Sequence, residues 1–285
     1  MNNNKLFLSS FLAILLVNSM AAWSGLKDGA CALPLLERPL EELLSEGVEY
    51  DNATLGPKAL ERQSLIVNSS EVNLTEEEEK YLNLYSYDSN ALANDFLRYG
   101  EDKPLPMGLS GEFPDTAPIR VQKITTAVNK LPNTGEVTLY RGGSSSRGTS
   151  GISFRNGEIE AGDYLTNRDF LSFTENPGVL KNFAVVKNPI LAGEFEEVFD
   201  ESTVIFKITD PKSARVFAPY SWRNNVGEAE SLYTPNQKFH IDYVNDSTTN
   251  FGGKLQPFIE VGLSEESTIP AGSNVFDLTS GEIIL

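Results

Sequence analysis

Two glutamates lie two residues apart in the segment Glu228-Ala229-Glu230, directly after Gly227. Carboxylates can stabilise a developing positive charge or accept a proton during a reaction. If the segment is a β-strand, residues i and i+2 project from the same face of the sheet. Two acids buried on one face repel each other, which favours a functional reason for the pair. The alternative is an acidic pair on a solvated strand.

Two other segments carry residue types that suit an anionic substrate. Leu139-Tyr140-Arg141-Gly142-Gly143 is an apolar run that ends in an arginine and a glycine pair, and Phe170-Leu171-Ser172-Phe173-Thr174 places hydroxyls in an apolar run. A guanidinium presents a planar fork that matches phosphate oxygens and keeps its charge. The structural alternatives are a salt bridge that closes a strand end and an ordinary strand serine.

In this order along the chain, the three segments resemble the Arg–Ser–Glu class of mono-ADP-ribosyltransferases, in particular the bacterial exotoxins. That family has an arginine at the end of one strand, Ser-Thr-Ser on a second and Glu-x-Glu after it. Tyr85-Ser86 followed by Asn94 to Arg98 is similar to the helical stretch ahead of the family's first motif, and Val128 to Pro132 also matches. The middle motif departs from the pattern, because it reads Ser-Phe-Thr here.

The resemblance implies a reaction. NAD would be the substrate, with no permanently bound cofactor and no metal, and ADP-ribose would pass to an arginine of a target protein as nicotinamide leaves. Glu230 would face the ribose and stabilise its cation, as carboxylates do in glycoside hydrolysis. Glu228 would orient the acceptor guanidinium and accept its proton as the new bond forms.

The other matched residues would bind NAD. Arg141 would bind its phosphates, and main-chain groups at Gly142, where a glycine lets a ligand approach closely, would hold the nicotinamide amide. Ser172 would fix the second glutamate or the ribose, and Thr174 corresponds to the last hydroxyl of the family motif. Phe183 would lie near the nicotinamide, with packing in the core as its alternative.

The polar loop over residues 218–227 contains Tyr220 and Trp222. Aromatic side chains often anchor interfaces, and the family reads its target protein with the corresponding loop. We therefore expect Tyr220, Trp222 and Glu228 to recognise the target. The alternative is that one of the rings caps the core.

The elements that position these residues change from helices to strands along the chain. Thr75 and Glu78 predict a capping box at the start of a helix. Ser89 is expected to cap the next helix, which ends at Gly100, and Pro118 marks the start of a third.

After the helices, short apolar runs between loops predict six strands: Val137–Arg141, Phe170–Thr174, Val204–Ile208, Glu228–Tyr233, Phe239–Val244 and Phe258–Leu263. Helices followed by strands predict an α+β fold. The resemblance implies N-terminal helices packed on two facing antiparallel or mixed sheets, with NAD in a cleft between them.

The N-terminus has the pattern of a secretory signal. Lys5 precedes the apolar run Leu6–Val17, and small residues predict cleavage after Ala21. We expect a secreted protein with a signal peptide at 1–21, an acidic N-terminal extension at 22–74 and a catalytic domain at 75–285. Within the extension, Leu36, Leu40, Leu43 and Leu44 predict a short helix packed on the catalytic domain; the alternatives are a pro-region, a delivery segment or a partner-binding helix.

The amino-acid composition excludes or disfavours several classes of binding partner. The chain has 40 acidic and 23 basic residues, a net charge of -17, which disfavours nucleic acid or an anionic membrane surface. A single cysteine, Cys31, permits no intramolecular disulfide, and with one histidine in the chain a zinc site is excluded. Apart from Leu6–Val17 the sequence has no long apolar run, so we expect no membrane span. We also expect the protein to be a monomer.

Together these features predict a secreted NAD–protein-arginine mono-ADP-ribosyltransferase that acts as a toxin. One alternative is an NAD glycohydrolase, in which water replaces arginine as acceptor and the same residues serve. The other is a secreted binding module that has the fold without the catalysis. The presence of Arg141, Ser172, Glu228 and Glu230 together argues against that second alternative.

Overall fold

The computed structural model describes residues 39–45, 55–106, 109–145, 151–191, 193–221 and 227–284. These segments belong to one compact structural unit, Pro39–Leu285. The predicted signal peptide, Cys31, Leu36 and Trp222 lie outside the described residues.

Helices form the first part of the chain: α1 (Leu40–Leu44), α2 (Leu55–Ser69), α3 (Glu76–Leu84), α4 (Asn90–Tyr99) and α5 (Ala117–Lys130). The capping box predicted for α3 is confirmed. The Thr75 hydroxyl accepts the Glu78 N–H at 3.2 Å, and the Glu78 carboxylate accepts the Thr75 N–H at 2.8 Å. Pro118 lies in the first turn of α5, as predicted.

A π-helical turn, Tyr85–Ser89, joins α3 to α4 without a break. The prediction that Ser89 caps a new helix is therefore wrong. Residues inside a continuous helix already have main-chain partners, so no unpaired N–H groups are left there for a cap to bind. The end of α4 is as predicted: Gly100 has a φ of 73°, and its N–H donates to the Phe96 carbonyl at 2.8 Å.

Strands dominate the rest of the described chain: β1 (Thr138–Gly143), β2 (Tyr164–Thr166), β3 (Leu171–Thr174), β4 (Val186–Leu191), β5 (Glu194–Val198), β6 (Val204–Thr209), β7 (Arg215–Val216), β8 (Glu230–Tyr233), β9 (Lys238–Phe251), β10 (Lys254–Glu265) and β11 (Val275–Asp277). Two short helices lie among them, α6 (Gly151–Arg155) and α7 (Leu180–Phe183). Each of the six predicted strands is present with shifted ends. The sequence did not predict β2, β4, β5, β7 and β11.

Nine strands pair in the order β11-β2-β9-β10-β6-β1-β3-β8-β7, and β4 pairs with β5 separately. Within the described ranges, β1 and β3 pair at one position alone, Tyr140 opposite Thr174. Elsewhere pairing is longer; β1 pairs with β6 over six positions. The two strands therefore part beyond their single pair, and the sheet divides into a six-strand part and a three-strand part.

The two parts of the sheet face each other across a shared apolar cluster. Phe173 and Tyr233 of the three-strand part lie with their ring centroids 5.3 Å apart, and Tyr233 lies 5.3 Å from Phe239 of the six-strand part. Helices α3 to α5 pack on the outer side of the three-strand part, where Tyr85 contacts Phe170. The predicted α+β fold is thus confirmed, and the two facing sheets expected from the resemblance are two parts of one nine-stranded mixed sheet. No helix in the described ranges is long and apolar enough to cross a membrane.

Helix α1 is buried against the six-strand part, as predicted from its leucines. Leu40, Leu43 and Leu44 are 4% exposed or less and share a cluster with Phe258 of β10. The Thr249 hydroxyl on β9 also donates to a main-chain carbonyl of α1 at 2.9 Å. A helix of five residues is unstable by itself, so these contacts must hold it.

Replacing Leu44 with alanine tests this packing. Because Leu44 is fully buried, Leu44→Ala should lower the free energy of unfolding by about 2–5 kcal/mol in urea denaturation. Leu255→Ala is the matched control, since Leu255 is 78% exposed and should change stability by less than about 0.5 kcal/mol. Equal effects of the two substitutions would show that α1 does not pack on the sheet in solution.

Candidate active site

A cleft of about 440 Å³ opens where β1 and β3 part. Its walls come from the π-helical turn, α4, β1, β3, α7 and the acidic segment before β8. Seven residues predicted for the site line it together: Arg141, Gly142, Ser172, Thr174, Phe183, Glu228 and Glu230. The parting of two neighbouring strands thus creates one compartment for all three sequence motifs.

Tyr220, the aromatic residue of the loop that the structure describes, does not join this group. Tyr220 lies apart from the cleft lining within the described chain and packs, partly buried, against the helix cluster. Burial raises the pKa of its hydroxyl. The Tyr220 ring therefore packs on the core. Core packing and target recognition are compatible, so its expected role in recognising a target stays a prediction, and Trp222 lies outside the described residues.

The two glutamates are not related by strand alternation. Ala229 has a φ of 45°, in the left-handed region, and β8 begins only at Glu230. The prediction of a strand from Glu228 is wrong for this reason, because β-strands require negative φ. A turn, and not the period of a strand, brings both carboxylates to the cleft. The left-handed conformation costs about 1–2 kcal/mol for a residue with a Cβ.

The middle motif holds this turn. The Thr174 hydroxyl donates to the main-chain carbonyl of Glu228 and accepts the Asn176 N–H at 2.9 Å. The Asn176 side-chain amide donates to the Gly227 carbonyl at 3.0 Å. Thr174 is 7% exposed, and these protein contacts occupy its hydroxyl. Its position thus supports a role in placing Glu228 more than direct contact with a ligand.

Glu230 is the carboxyl with the most perturbed environment in the cleft. Burial raises its pKa from 4.5 to about 7. A hydrogen bond from Ser172 opposes this rise, the charge of Glu228 adds to it, and the Arg141 guanidinium opposes it. A carboxyl whose pKa is raised by desolvation beside specific charges is typical of a functional site.

Behind Ser172, a chain of hydrogen bonds runs into the helices. The Tyr85 hydroxyl bonds both Ser172 and Asn94, and burial raises the pKa of Tyr85, so the phenol stays neutral. Asn94 is itself held by the backbone of Phe170, which it contacts at 3.2 and 3.3 Å. Tyr85 and Asn94 therefore fix the serine that bonds Glu230. Sequence reasoning used both for the resemblance but gave them no function; a tyrosine and an asparagine on an otherwise apolar helical face were the available signal.

Within the part of the chain that the structure describes, two guanidinium groups line the cleft. Arg141 donates from Nη1 to the Ser172 carbonyl at 2.8 Å, across the gap between β1 and β3. Arg98 pairs with the fully buried Asp169, and its buried Nε has no hydrogen-bond partner among the described residues. Sequence reasoning missed Arg98 as a site residue, although it ends the helical stretch that supported the resemblance. The two cations make the cleft suitable for an anionic ligand in a chain of net negative charge.

Gly142 is required by packing. A Cβ at this position would lie 2.9 Å from the Cβ of Ala184, at the end of α7. The close approach that a glycine permits is therefore made here by Ala184. This contact seats α7 against β1 and so brings Phe183 to the cleft. The expected contact of the Gly142 main chain with a nicotinamide amide stays a prediction.

No family model matches the sequence, and no curated protein matches it. Solved structures do. The ADP-ribosyltransferase Vis of Vibrio splendidus, in complex with agmatine, is 24% identical, covers 81% of this chain and 94% of its own, and has a TM-score of 0.54. Vis with an inhibitor, M6, gives 21% identity, coverages of 86% and 98% and a TM-score of 0.59.

A third match is the enzymatic component C2-I of the C2 toxin of Clostridium botulinum. It is 14% identical, with a TM-score of 0.51 over 77% of this chain and 48% of its own. The chain has the fold of the bacterial ADP-ribosyltransferase toxins. The fold inferred from the three motifs is confirmed.

The raised pKa of Glu230 predicts a pH-dependent stability. The folded state holds this proton up to about pH 7, and the unfolded state releases it near 4.5. The folded state therefore binds more protons between these values, so this carboxyl destabilises the fold increasingly as the pH rises through that window. Glu230→Gln, which cannot ionise, should be more stable than the parent protein at pH 8, and this advantage should vanish towards pH 4.

Urea unfolding from pH 4 to pH 8 measures the effect. Glu158→Gln, at an exposed position outside the cleft, is the matched control and should show no such trend. An advantage of Glu230→Gln that is independent of pH would contradict the raised pKa.

Proposed function

We propose that this protein is an NAD–protein-arginine mono-ADP-ribosyltransferase that is exported through a signal peptide and acts as a toxin. The observation that carries the proposal is the convergence of Arg141, Ser172 and Glu230, from three strands, with Glu228 in one cleft. The fold of the ADP-ribosyltransferase toxins supports it. The complex of Vis with agmatine, a small guanidine, supports an arginine-like acceptor.

In the proposed complex, the guanidinium groups of Arg141 and Arg98 bind the diphosphate of NAD. Phosphate oxygens match the planar fork of arginine, and the partly enclosed cleft strengthens the attraction. Phe183 lies beside the nicotinamide ring. NAD is consumed as a substrate, and the protein holds no permanent cofactor.

The reaction begins with cleavage of the bond between nicotinamide and C1′ of the ribose. The bonding electrons leave with the pyridinium, which becomes neutral nicotinamide, and positive charge develops on the ribose. The Glu230 carboxylate stabilises this cation. Ser172, which Tyr85 holds, keeps the carboxylate in position before the reaction begins. Charge placed in advance at the site where charge develops is often the largest single contribution to catalysis. The cation itself favours the ionised form of Glu230, whose pKa is about 7 in the free protein.

The acceptor guanidine then forms a bond from its nitrogen to C1′. Because a free guanidinium has a pKa above about 12, the proton leaves as the bond forms and not before. Glu228 holds the guanidinium through paired hydrogen bonds, accepts that proton and later releases it to solvent. The products are ADP-ribosylated arginine, nicotinamide and one proton.

The second candidate function is NAD glycohydrolysis, with water in place of the guanidine. The Glu230 environment serves both reactions equally, whereas a second carboxylate held beside it favours transfer. A binding module without catalysis would have no need of a desolvated acid with a raised pKa.

Arg141→Lys should weaken NAD binding by about tenfold, because lysine keeps the charge and loses the planar fork. Isothermal titration calorimetry with NAD measures the affinity, and circular dichroism checks the fold. Arg168→Lys is the control, since Arg168 pairs with Asp277 outside the cleft and should leave affinity unchanged. Unchanged affinity in Arg141→Lys would remove the phosphate-binding role.

Exchanging each acid for glutamine separates transfer from hydrolysis. Glu230→Gln should reduce NAD cleavage and ADP-ribosylation of agmatine together, by on the order of 10²–10³-fold. Glu228→Gln should lose transfer to agmatine while much of the NAD cleavage survives, because water needs no guanidinium clamp. Nicotinamide release and ADP-ribosyl-agmatine are measured on the same samples by chromatography.

The pattern of products distinguishes the candidates. A parent protein that releases nicotinamide but never modifies agmatine or a protein arginine is a glycohydrolase. A parent protein that does neither is a binding module. If Glu228→Gln modifies agmatine as well as the parent does, the assignment of Glu228 is wrong.

A further inference from the structure

Helix α2 lies within residues 22–74, ahead of the predicted catalytic domain, yet it contacts the turn that carries Glu228. We infer that α2 is a working part of the active site: it positions Glu228 for the acceptor, with Gln63 as the principal positioning residue. This inference rests on the proposed function. It gives a role to α2, which contains none of the three sequence motifs.

Gln63 is fully buried and ties together the two ends of the segment between β7 and β8. At the first end, its Oε1 accepts the N–H groups of Phe217 at 3.3 Å and Ala218 at 3.1 Å. At the second end, its Nε2 donates to the Ala229 carbonyl at 3.4 Å and to the Ser231 hydroxyl at 3.3 Å. One side-chain amide thus fixes the distance between the two ends.

The residue after β3 adds a second contact. Arg62 binds Glu175 with two hydrogen bonds, Nε to Oε2 at 3.0 Å and Nη2 to Oε1 at 2.5 Å. Gln63 also donates to this carboxylate at 2.8 Å. The Glu175 N–H in turn donates to the Ala229 carbonyl at 3.3 Å. The ion pair therefore links α2 to the same left-handed residue that Gln63 reaches directly.

The start of α2 makes the third contact, and it is backbone against backbone. A Cβ on Gly56 would lie 2.8 Å from the Gly227 carbonyl oxygen and closer still to the Gly227 Cα. Real Cβ atoms do not approach a main chain so closely, so only glycine fits at position 56. Gly227 immediately precedes Glu228, and the helix thus abuts the turn at the acid itself.

The Gly56 contact meets the residue directly before Glu228, whereas Gln63 bonds Ala229 and Ser231, on either side of Glu230. The two acids differ in what else holds them. Glu230 belongs to β8, which pairs with β3 over four positions, and Ser172 binds its carboxyl. Glu228 lies outside any strand, between Gly227 and the strained Ala229. A strained residue persists only when its surroundings over-determine it, and α2 supplies part of those surroundings. Loosening α2 should therefore disturb the acceptor carboxylate first.

Gly56→Ala tests the backbone contact in the full chain. Alanine favours a helix over glycine, so a loss of function would oppose the local preference and point to the contact with Gly227. We expect ADP-ribosylation of agmatine to fall by about tenfold or more, since displacement of a reacting group by about 1 Å can cost far more. NAD cleavage in the absence of agmatine should fall much less. Gly111→Ala is the matched control, because a Cβ there meets open space.

Gln63→Met is the second variant. It keeps the length of the side chain and removes its hydrogen bonds, and Gln122→Met on the exposed face of α5 is its control. The same change in the ratio of transfer to NAD cleavage is expected. This ratio separates positioning from general damage, because partial unfolding lowers both activities equally. Hydrogen–deuterium exchange over residues 227–231 should also increase in both variants.

The outcomes are distinct. A parent protein that neither cleaves NAD nor modifies agmatine overturns the proposed function and, with it, the task assigned to α2. An active parent whose Gly56→Ala and Gln63→Met variants keep the parental ratio of transfer to cleavage overturns the inference and leaves the proposed function standing. Equal loss of both activities in both variants also overturns it, because α2 would then serve stability alone.

Discussion

The pairing of Tyr140 with Thr174 is the constraint on which the site depends, because among the described residues it is the single position where the two parts of the sheet join. Beyond it, β1 and β3 separate and leave the cleft. Arg141 crosses the gap to bind the Ser172 carbonyl, which a longer strand pair would have satisfied with a main-chain N–H. The register of β3 against β8 matters as well, because a slip of one residue there would turn Ser172 away from Glu230.

Much of this could be read from the sequence, and the reasons are local. The capping box at Thr75, the glycine end at Gly100 and the apolar runs of the strands are short-range patterns, and the structure confirms them. The motif residues could be predicted to share one cleft because their types and their order along the chain match those of a single known chemistry. The left-handed Ala229 could not be foreseen, since alanine rarely adopts that conformation and only distant contacts impose it.

The remaining features depend on contacts between distant parts of the chain. Ser89 has the type of a capping residue, but a π-helical turn carries the chain through it. Thr174 matches a family hydroxyl, and its partner is the carbonyl of Glu228, 54 residues away. Gln63 stands in a helix that carries no motif, and its partners lie more than a hundred residues further on. No local pattern encodes such pairs, so the sequence predicts the residues of the site better than what holds them.

The two carboxylates are supported by different parts of the protein. Glu230 is fixed by strand pairing and by the hydrogen bonds from Asn94 through Tyr85 to Ser172, all within the sheet and the helices behind it. Glu228 is held by Thr174 and by the turn that α2 braces. In the proposed reaction, NAD cleavage would therefore rest mainly on the pairing of β3 with β8, and the choice of acceptor would depend in addition on the turn before β8. On that proposal, a change in α2 or in the turn is expected to alter which nucleophile is used, while strand pairing keeps the Glu230 carboxylate facing the ribose.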